Sequence, residues 1–180
     1  MNVFSIRTVV KSDIDFIMQI EEKAFSNSIR EERKIFLNRI NIFAEGFLIF
    51  EYNFKPAGYL SSELWKSFPK SEKECSLLCN LNHSIDSVFA SDGQILYISS
   101  FAILPEFRGK GNGFFLFRDA LNYFEHNFNL TDFVLTVNEE WKGAKRIYDK
   151  CGFREVFKVR KMFENSAGCF SDGIFMQKSI

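Results

Sequence analysis

The sequence lacks the features that would place this chain in a membrane, on nucleic acid or outside the cell. Its longest apolar runs, such as Phe47 to Phe50, are far too short to span a bilayer. Basic and acidic residues number 23 each, and this balance removes the long-range attraction on which binders of nucleic acid or anionic membranes rely. Arg7 and Lys11 interrupt the apolar residues near the start, so no secretory signal is recognisable. We therefore expect a cytoplasmic protein with neither nucleic acid nor membrane as a partner.

Cysteine and histidine are also too few, and too irregularly spaced, to indicate a metal site. The four cysteines are Cys75, Cys79, Cys151 and Cys169. The pair Cys75-x-x-x-Cys79 has no second such pair and no paired histidines, so we predict neither a metal nor a disulfide. Phenylalanine, in contrast, is abundant at 23 residues, and its helical and strand spacing indicates core packing.

Length and composition predict one compact domain over residues 1–180. Hydrophobic residues make up 46% and charged residues 26%, which is ordinary for a globular protein of this size. The periodicities predict the order β-α-α-β-β-α-β-α-β-α-β-β, which is typical of an α/β sheet of mixed direction. Residues 66–93 form an insertion in this order. A helical face is predicted there from Leu77, Leu78, Leu81, Ile85, Val88 and Phe89.

The strongest chemical signal is the segment Arg108-Gly109-Lys110-Gly111-Asn112-Gly113, between an apolar strand and an amphipathic helix. Backbone N–H groups at such a helix start, unobstructed by side chains at the glycines, form a concavity that binds phosphate oxygens. Neither nucleotide fingerprint fits, because Phe114 stands where GxGxxG requires glycine and no GxxxxGK[ST] occurs. A diphosphate is the predicted ligand. The alternative is a tight turn that needs glycine for backbone reasons alone.

This segment resembles the acetyl-CoA motif of the GNAT superfamily of N-acyltransferases, which has arginine, two residues, glycine, one residue, then glycine or alanine. Arg108, Gly111 and Gly113 match that pattern, and residues 143–153, Gly-Ala-Lys-Arg-Ile-Tyr-Asp-Lys-Cys-Gly-Phe, resemble the second family motif. The resemblance implies a GNAT-like mixed, mostly antiparallel sheet of six to seven strands flanked by helices. Residues 66–93 would be a helical insertion before the cofactor strand.

The resemblance also implies transfer of an acetyl group from acetyl-CoA to a primary amine of a small molecule or protein, by direct attack in a ternary complex. The backbone of Phe101, Ala102 and Ile103 would pair with the pantetheine arm, in a notch between the cofactor strand and the next strand. The N–H groups of residues 109–113 would bind the diphosphate. The Ile103 N–H would stabilise the oxyanion. Tyr148 would protonate the leaving thiolate, although a tyrosine on an inward helix face can also be a core residue.

Two positions depart from the family pattern. Trp141 stands where enzymes that acetylate protein N-termini usually have asparagine, so acetylation of ribosomal N-termini is not expected. Thr136 stands where a carboxylate general base often lies. The remaining candidate bases are Glu63 and His83, and each has the alternative of a solvated side chain.

A basic helix face made of Lys142, Lys145 and Arg146 is either solvated or contacts the adenosine phosphate of CoA, and Lys145 is our candidate for that contact. Two other functions remain open. One is a non-catalytic acyl-CoA-binding or sensing domain, and the other is an acyltransferase that uses a longer acyl chain. The sequence does not indicate an oligomeric state.

Overall fold

The computed structural model describes residues 4–165 and 167–180 and contains seven strands and five α-helices within them. The strands are β1 (Phe4–Thr8), β2 (Phe47–Tyr52), β3 (Lys55–Trp65), β4 (Ile95–Ile103), β5 (Asp132–Asn138), β6 (Arg154–Glu164) and β7 (Phe170–Ser179). The helices are α1 (Ile14–Ala24), α2 (Arg33–Phe43), α3 (Glu72–Leu78), α4 (Asn112–Asn127) and α5 (Lys142–Lys150).

The strands form one sheet in the order β1-β2-β3-β4-β5-β7-β6. The described strand pairs are antiparallel except β4 with β5, which are parallel and joined through α4. The predicted mixed, mostly antiparallel sheet is therefore confirmed. The hairpin between β2 and β3 turns at Asn53 and Phe54, whose φ angles of 50° and 63° suit a two-residue turn between twisted strands.

Helices cover both faces of the sheet, because alternate residues of the central strands are apolar in both directions. On β2, Phe47 and Ile49 pack with α1 and α2, while Leu48 and Phe50 face the core that contains α4. Burial of these two apolar layers holds the central strands in place between the helices.

Asp13, one residue before α1, holds the start of this helix. Ser12 and Asp15 carry the spacing of a capping box, but the Asp13 carboxylate instead accepts the Val10 N–H at 2.8 Å. Asp13 also receives two hydrogen bonds from Arg7, at 2.7 and 2.8 Å. Burial of Asp13 raises its pKa, but these bonds outweigh the burial and lower it below the usual value.

The insertion contains a shorter helix than the sequence predicts. Helix α3 ends at Leu78, and a turn with Asn82 at a φ of 61° separates it from residues 85–87. The expected continuous apolar face is therefore wrong, since Leu77 and Leu81 are 66% and 45% exposed. The prediction failed because the apolar residues keep a helical spacing on both sides of the turn, so the sequence pattern does not show where the helix ends. The turn places His83 beside the sheet.

Candidate active site

The sheet opens between β4 and β5. Their pairing ends at Ile98 opposite Leu135. Ser99 then forms a bulge against β3, which bends β4 away from its parallel neighbour. Residues 100–103 continue beside β3, and within the described chain they have no partner on β5. A notch therefore lies where the family resemblance led us to expect one.

The open edge of β4 presents backbone groups to this notch. The Leu104 N–H donates to the Ala57 carbonyl on β3 at 2.9 Å. Because backbone groups of successive strand residues alternate in direction, those of Phe101 and Ile103 face the notch. The Ile103 carbonyl accepts a hydrogen bond from Arg108 Nε at 2.9 Å, so the arginine also fixes the start of the glycine loop. An extended ligand can pair with this edge as an added strand.

The glycine loop turns through three left-handed residues before α4. Gly109, Lys110 and Gly111 have φ angles of 85°, 51° and 82°. The Asn112 side-chain amide donates to the Phe107 carbonyl at 3.0 Å and closes the turn.

At the start of α4 the Asn112 N–H donates to the Gly109 carbonyl at 3.0 Å. The N–H groups of Gly113 and Phe114 have no carbonyl four residues earlier in the helix, so they point outward with the positive end of the helix dipole. This arrangement can bind phosphate oxygens.

A cleft of about 1180 Å³ joins the loop, the notch and the far side of the sheet. The cofactor candidates that line it are Phe101, Ala102, Ile103, Arg108, Gly109, Gly111 and Gly113. Lys110, Asn112 and Lys145 do not contribute to its lining as far as the described residues show. Gly113 lies where α4 approaches α5, since an added Cβ there would be 2.8 Å from Ile147 Cδ1.

The basic residues near the loop are arranged differently from the prediction. Lys145 forms ion pairs with Glu155 at 2.8 Å and Asp149 at 3.0 Å, and these hydrogen bonds raise its pKa above the usual value. Its charge is directed to these carboxylates. Arg146 and Lys150, on the same helix, line the cleft instead.

Tyr148 lies on the face of α5 that packs toward the notch. Its ring contacts Phe117, with centroids 4.9 Å apart, and Phe153. Burial raises the pKa of its hydroxyl, so the group carries its proton at neutral pH. Tyr148 lines the cleft, and among the residues described its hydroxyl makes no hydrogen bond. The hydroxyl is therefore available to a group in the cleft.

Glu63 and His83, the two candidate bases, form a buried pair. Glu63 is 0% exposed and His83 is 9% exposed, so neither is the solvated side chain considered from the sequence. His83 Nε2 lies 2.8 Å from Glu63 Oε1, and Arg39 Nε donates to the same oxygen at 3.2 Å. Burial raises the pKa of Glu63, but the hydrogen bond and charge of His83, with the charge of Arg39, lower it below the usual value overall.

Both ring nitrogens of His83 lie within hydrogen-bond distance of an acceptor. Nδ1 lies 2.9 Å from the Asn80 carbonyl, which can only accept. Nε2 faces the Glu63 carboxylate, which also accepts from Trp65 at 3.0 Å. Both ring nitrogens are therefore already engaged by protein oxygens, and His83 is poorly placed to take a proton from an amine. His83 lines the cleft, whereas Glu63 lies behind it.

A third carboxylate, Glu21 near the end of α1, has the properties of a base. Glu21 is only 1% exposed to solvent, yet it lines the cleft. It accepts hydrogen bonds from the Tyr59 hydroxyl and, at 3.0 Å, from the Glu31 N–H. Burial raises the pKa of Glu21 to about 7, in spite of these two donors. Tyr59 lies 2.8 Å from Ser100 Oγ, which connects Glu21 to the open part of β4.

Sequence reasoning missed Glu21 and its neighbour Arg39. The available signal was a charged residue inside an apolar stripe. Glu21 follows Ile14 and Ile17 at helical spacing on α1, and Arg39 lies between apolar positions on α2. In the structure Arg39 is 1% exposed and makes two hydrogen bonds to Glu31.

The described residues, 4–165 and 167–180, contain neither a metal-ligating cluster nor a membrane-spanning helix. No cluster of three metal-ligating side chains occurs among them. No helix in that part of the chain has the length and hydropathy required to cross a membrane. The predicted absence of a metal remains a prediction.

Comparisons with known proteins agree with this geometry. The acetyltransferase (GNAT) family model matches residues 14–153. An uncharacterised N-acetyltransferase of Methanocaldococcus jannaschii is 25% identical over 162 residues, or 86% of this chain. The chain spans only 62% of that relative's length.

Solved structures with the same fold are similar along nearly their whole length. The loading GNATL domain of CurA from Lyngbya majuscula superposes with a TM-score of 0.81 at 15% identity, covering 99% of this chain and 98% of that chain. Arabidopsis thaliana Naa50, solved with the bisubstrate analogue CoA-Ac-MVNAL, has a TM-score of 0.71 at 18% identity, covering 98% and 99%. At such identities these structures show the fold alone.

Proposed function

Because this chain belongs to the acetyltransferase (GNAT) family, we propose that it transfers an acetyl group from acetyl-CoA to a primary amine of a small molecule or protein. The observation that carries the proposal is the cleft, which joins the glycine loop at the start of α4 to an open strand edge and a buried carboxylate. The reaction requires no metal and no covalent enzyme intermediate, because an amine positioned beside a thioester reacts directly.

The cofactor is held by backbone groups in this proposal. The N–H groups of the glycine loop bind the diphosphate, and the Phe101 backbone and the Ile103 carbonyl pair with the amides of the pantetheine arm. Arg146 and Lys150 provide the positive charge for the adenosine phosphate. This assignment moves the phosphate contact from Lys145, which is paired with two carboxylates. The similarity to Naa50, whose bound analogue contains CoA, supports a CoA ligand.

The chemical step needs a base and an acid. The amine nitrogen attacks the thioester carbonyl carbon, its proton passes to the Glu21 carboxylate directly or through one water, and the carbon–sulfur bond breaks. Tyr148 donates its proton to the departing thiolate and is reprotonated from solvent. The Ile103 N–H faces the notch and stabilises the developing oxyanion. Glu21 suits the role because a pKa of about 7 leaves a large ionised fraction at neutral pH.

Release of free CoA thiol from acetyl-CoA in the presence of a panel of amines tests the proposal, with mass spectrometry of the acetylated product. We expect thiol release that depends on both the amine and the enzyme. A protein that binds acetyl-CoA tightly but releases no thiol with any amine would be a sensing domain. Faster turnover of octanoyl-CoA than of acetyl-CoA would identify the longer-chain alternative.

A further inference from the structure

The part of the cleft farthest from the glycine loop has an unusual lining, and we call it the acceptor end. Its apolar members are Phe25, Ile29, Leu81, Trp141, Met162, Phe163 and Phe170, and its charged members are Glu21, Glu31, Glu164 and His83. They come from the end of α1 and the segment after it, the turn after α3, the start of α5 and the β6–β7 hairpin. The glycine loop and β4 supply the rest of the cleft for the cofactor.

Three aromatic rings form a row through the acceptor end. The centroids of Phe25 and Trp141 lie 5.8 Å apart, and those of Trp141 and Phe163 lie 5.5 Å apart. The rings belong to three separate elements, so the row connects the α1 side of the sheet with β6. Phe170 adds apolar surface and is 54% exposed. A flat apolar group can pack against such a wall.

The charges that line the acceptor end are almost all negative. Glu21, Glu31 and Glu164 are carboxylates, and His83 is paired with Glu63 at 2.8 Å. The nearby Arg39 does not line the cleft and is engaged by Glu31 and Glu63.

The cations that line the cleft lie at its opposite end. Among the described lining residues they are Arg108, Arg146 and Lys150. Among the described residues that line the acceptor end, no arginine or lysine is available to pair with a carboxylate or phosphate on the acceptor. Arg30 lies beside this end, but its guanidinium donates to two backbone carbonyls, one of them that of Phe25 at 2.9 Å. An anionic group on the acceptor would be close to several carboxylates.

From this lining we propose that the acceptor is a primary amine on an apolar, ring-containing body that carries no carboxylate or phosphate. The inference rests on the proposed function and names its substrate class. The ammonium form is drawn in by the carboxylates and by the faces of the rings. The apolar body packs on the Phe25, Trp141 and Phe163 row. Amino acids are excluded by their own carboxylate, and peptides are excluded by a polar backbone that finds few partners there.

Matched acceptors separate charge from shape. Tryptamine, tryptophanamide and tryptophan share one ring system, and only tryptophan carries a carboxylate. We expect kcat/KM, corrected for the fraction of neutral amine, to be at least about tenfold higher for tryptamine and tryptophanamide than for tryptophan, which corresponds to about 1.4 kcal/mol. Ethylamine, which has no ring, should be at least as poor as tryptophan.

Variants of the lining test the same idea from the protein side. Trp141→Ala should lower kcat/KM for tryptamine at least about tenfold while the Kd for acetyl-CoA stays within about twofold. Phe170→Ala, at a half-exposed position that tolerates truncation, should lower kcat/KM for tryptamine by a smaller factor. Phe54→Ala is the matched control, because Phe54 is 91% exposed on the β2–β3 hairpin and does not line the cleft. Glu164→Lys should lower the ratio of kcat/KM for tryptamine to kcat/KM for tryptophan, because the lysine can pair with the carboxylate of tryptophan.

The possible outcomes distinguish this inference from the proposed function. Equal turnover of tryptophan and tryptamine, or better turnover of a peptide N-terminus than of any small amine, would overturn the substrate class and leave the acetyltransferase intact. If no amine releases thiol, the proposed function fails. Calorimetry on the CoA-loaded protein then tests the inference separately. Tryptophanamide should bind at least about tenfold more tightly than tryptophan, and equal affinities would overturn the substrate class.

Discussion

Replacing Glu21 by glutamine should change how both stability and activity depend on pH. The carboxylate has a pKa of about 7 in the folded protein against a usual value of 4.5, and the cause is burial. Because the folded pKa is raised, the folded state holds the proton more tightly than the unfolded chain. The stabilisation is complete below pH 4.5 and is lost as pH rises through 7. The difference corresponds to about 3 kcal/mol.

The Glu21→Gln variant lacks this titration. Its amide also fits the site less well, because the NH2 group of glutamine replaces one of the two carboxylate oxygens and accepts no hydrogen bond. Either the Tyr59 hydroxyl or the Glu31 N–H then loses its acceptor, so a constant cost of about 1–3 kcal/mol is expected at every pH. The informative quantity is therefore the change with pH. Between pH 4.5 and 8.5 the wild type should lose about 3 kcal/mol relative to the variant.

Urea unfolding followed by tryptophan fluorescence at several pH values measures this difference. Glu22→Gln, on the exposed side of the same helix, is the matched control and should follow the wild type. Parallel stability curves for wild type and Glu21→Gln would refute the raised pKa.

Activity provides a second assay of Glu21. With an arylamine acceptor, which stays neutral across this range, wild-type kcat/KM should rise with an apparent pKa near 7. Glu21→Gln should lose that dependence and fall by roughly 10². An unchanged profile would show that the proton leaves by another route.

Three further predictions concern the cofactor and the acid. Gly111→Asp puts a carboxylate at the diphosphate site and should weaken acetyl-CoA binding at least about tenfold. If calorimetry shows unchanged affinity in a folded variant, the glycine loop does not bind the diphosphate. Tyr148→Phe should keep acetyl-CoA affinity and lower turnover by roughly 10², and the loss should be smaller at high pH, where the thiolate leaves without a proton. If the variant keeps wild-type turnover from pH 6 to 9, Tyr148 is a core residue. Arg146→Ala and Lys150→Ala should weaken the binding of CoA more than that of dephospho-CoA, while Lys145→Ala should change the two affinities equally. The reverse pattern would assign the phosphate contact to Lys145.

The order of strands and helices was predictable because each element carries an apolar period that matches its place in the sheet. The glycine loop was predictable for a different reason, since backbone conformation there depends on residue type at positions such as Gly109 and Gly111. The break after α3 was not predictable, because Leu81 and Ile85 keep a helical spacing across it.

The buried charges were harder to predict than the loop. Glu21 and Arg39 interrupt the apolar faces of α1 and α2. The pattern of an apolar face does not show which residue from another element pairs with a buried charge. The hydrogen bonds of Glu63 and His83 join residues 20 positions apart through the sheet, so their protonation depends on tertiary contacts. The ion pair of Lys145 with Glu155 was not predictable, because Glu155 lies beyond the end of the helix that carries Lys145.

The most direct test of the account is the structure of the acetyl-CoA complex. The account predicts diphosphate oxygens within hydrogen-bond distance of the N–H groups at Gly111 and Gly113, and the pantetheine arm beside Phe101 and Ile103. It also predicts the thioester sulfur within reach of the Tyr148 hydroxyl. A cofactor whose diphosphate lies away from the glycine loop, or whose thioester lies outside the notch between β4 and β5, would contradict it.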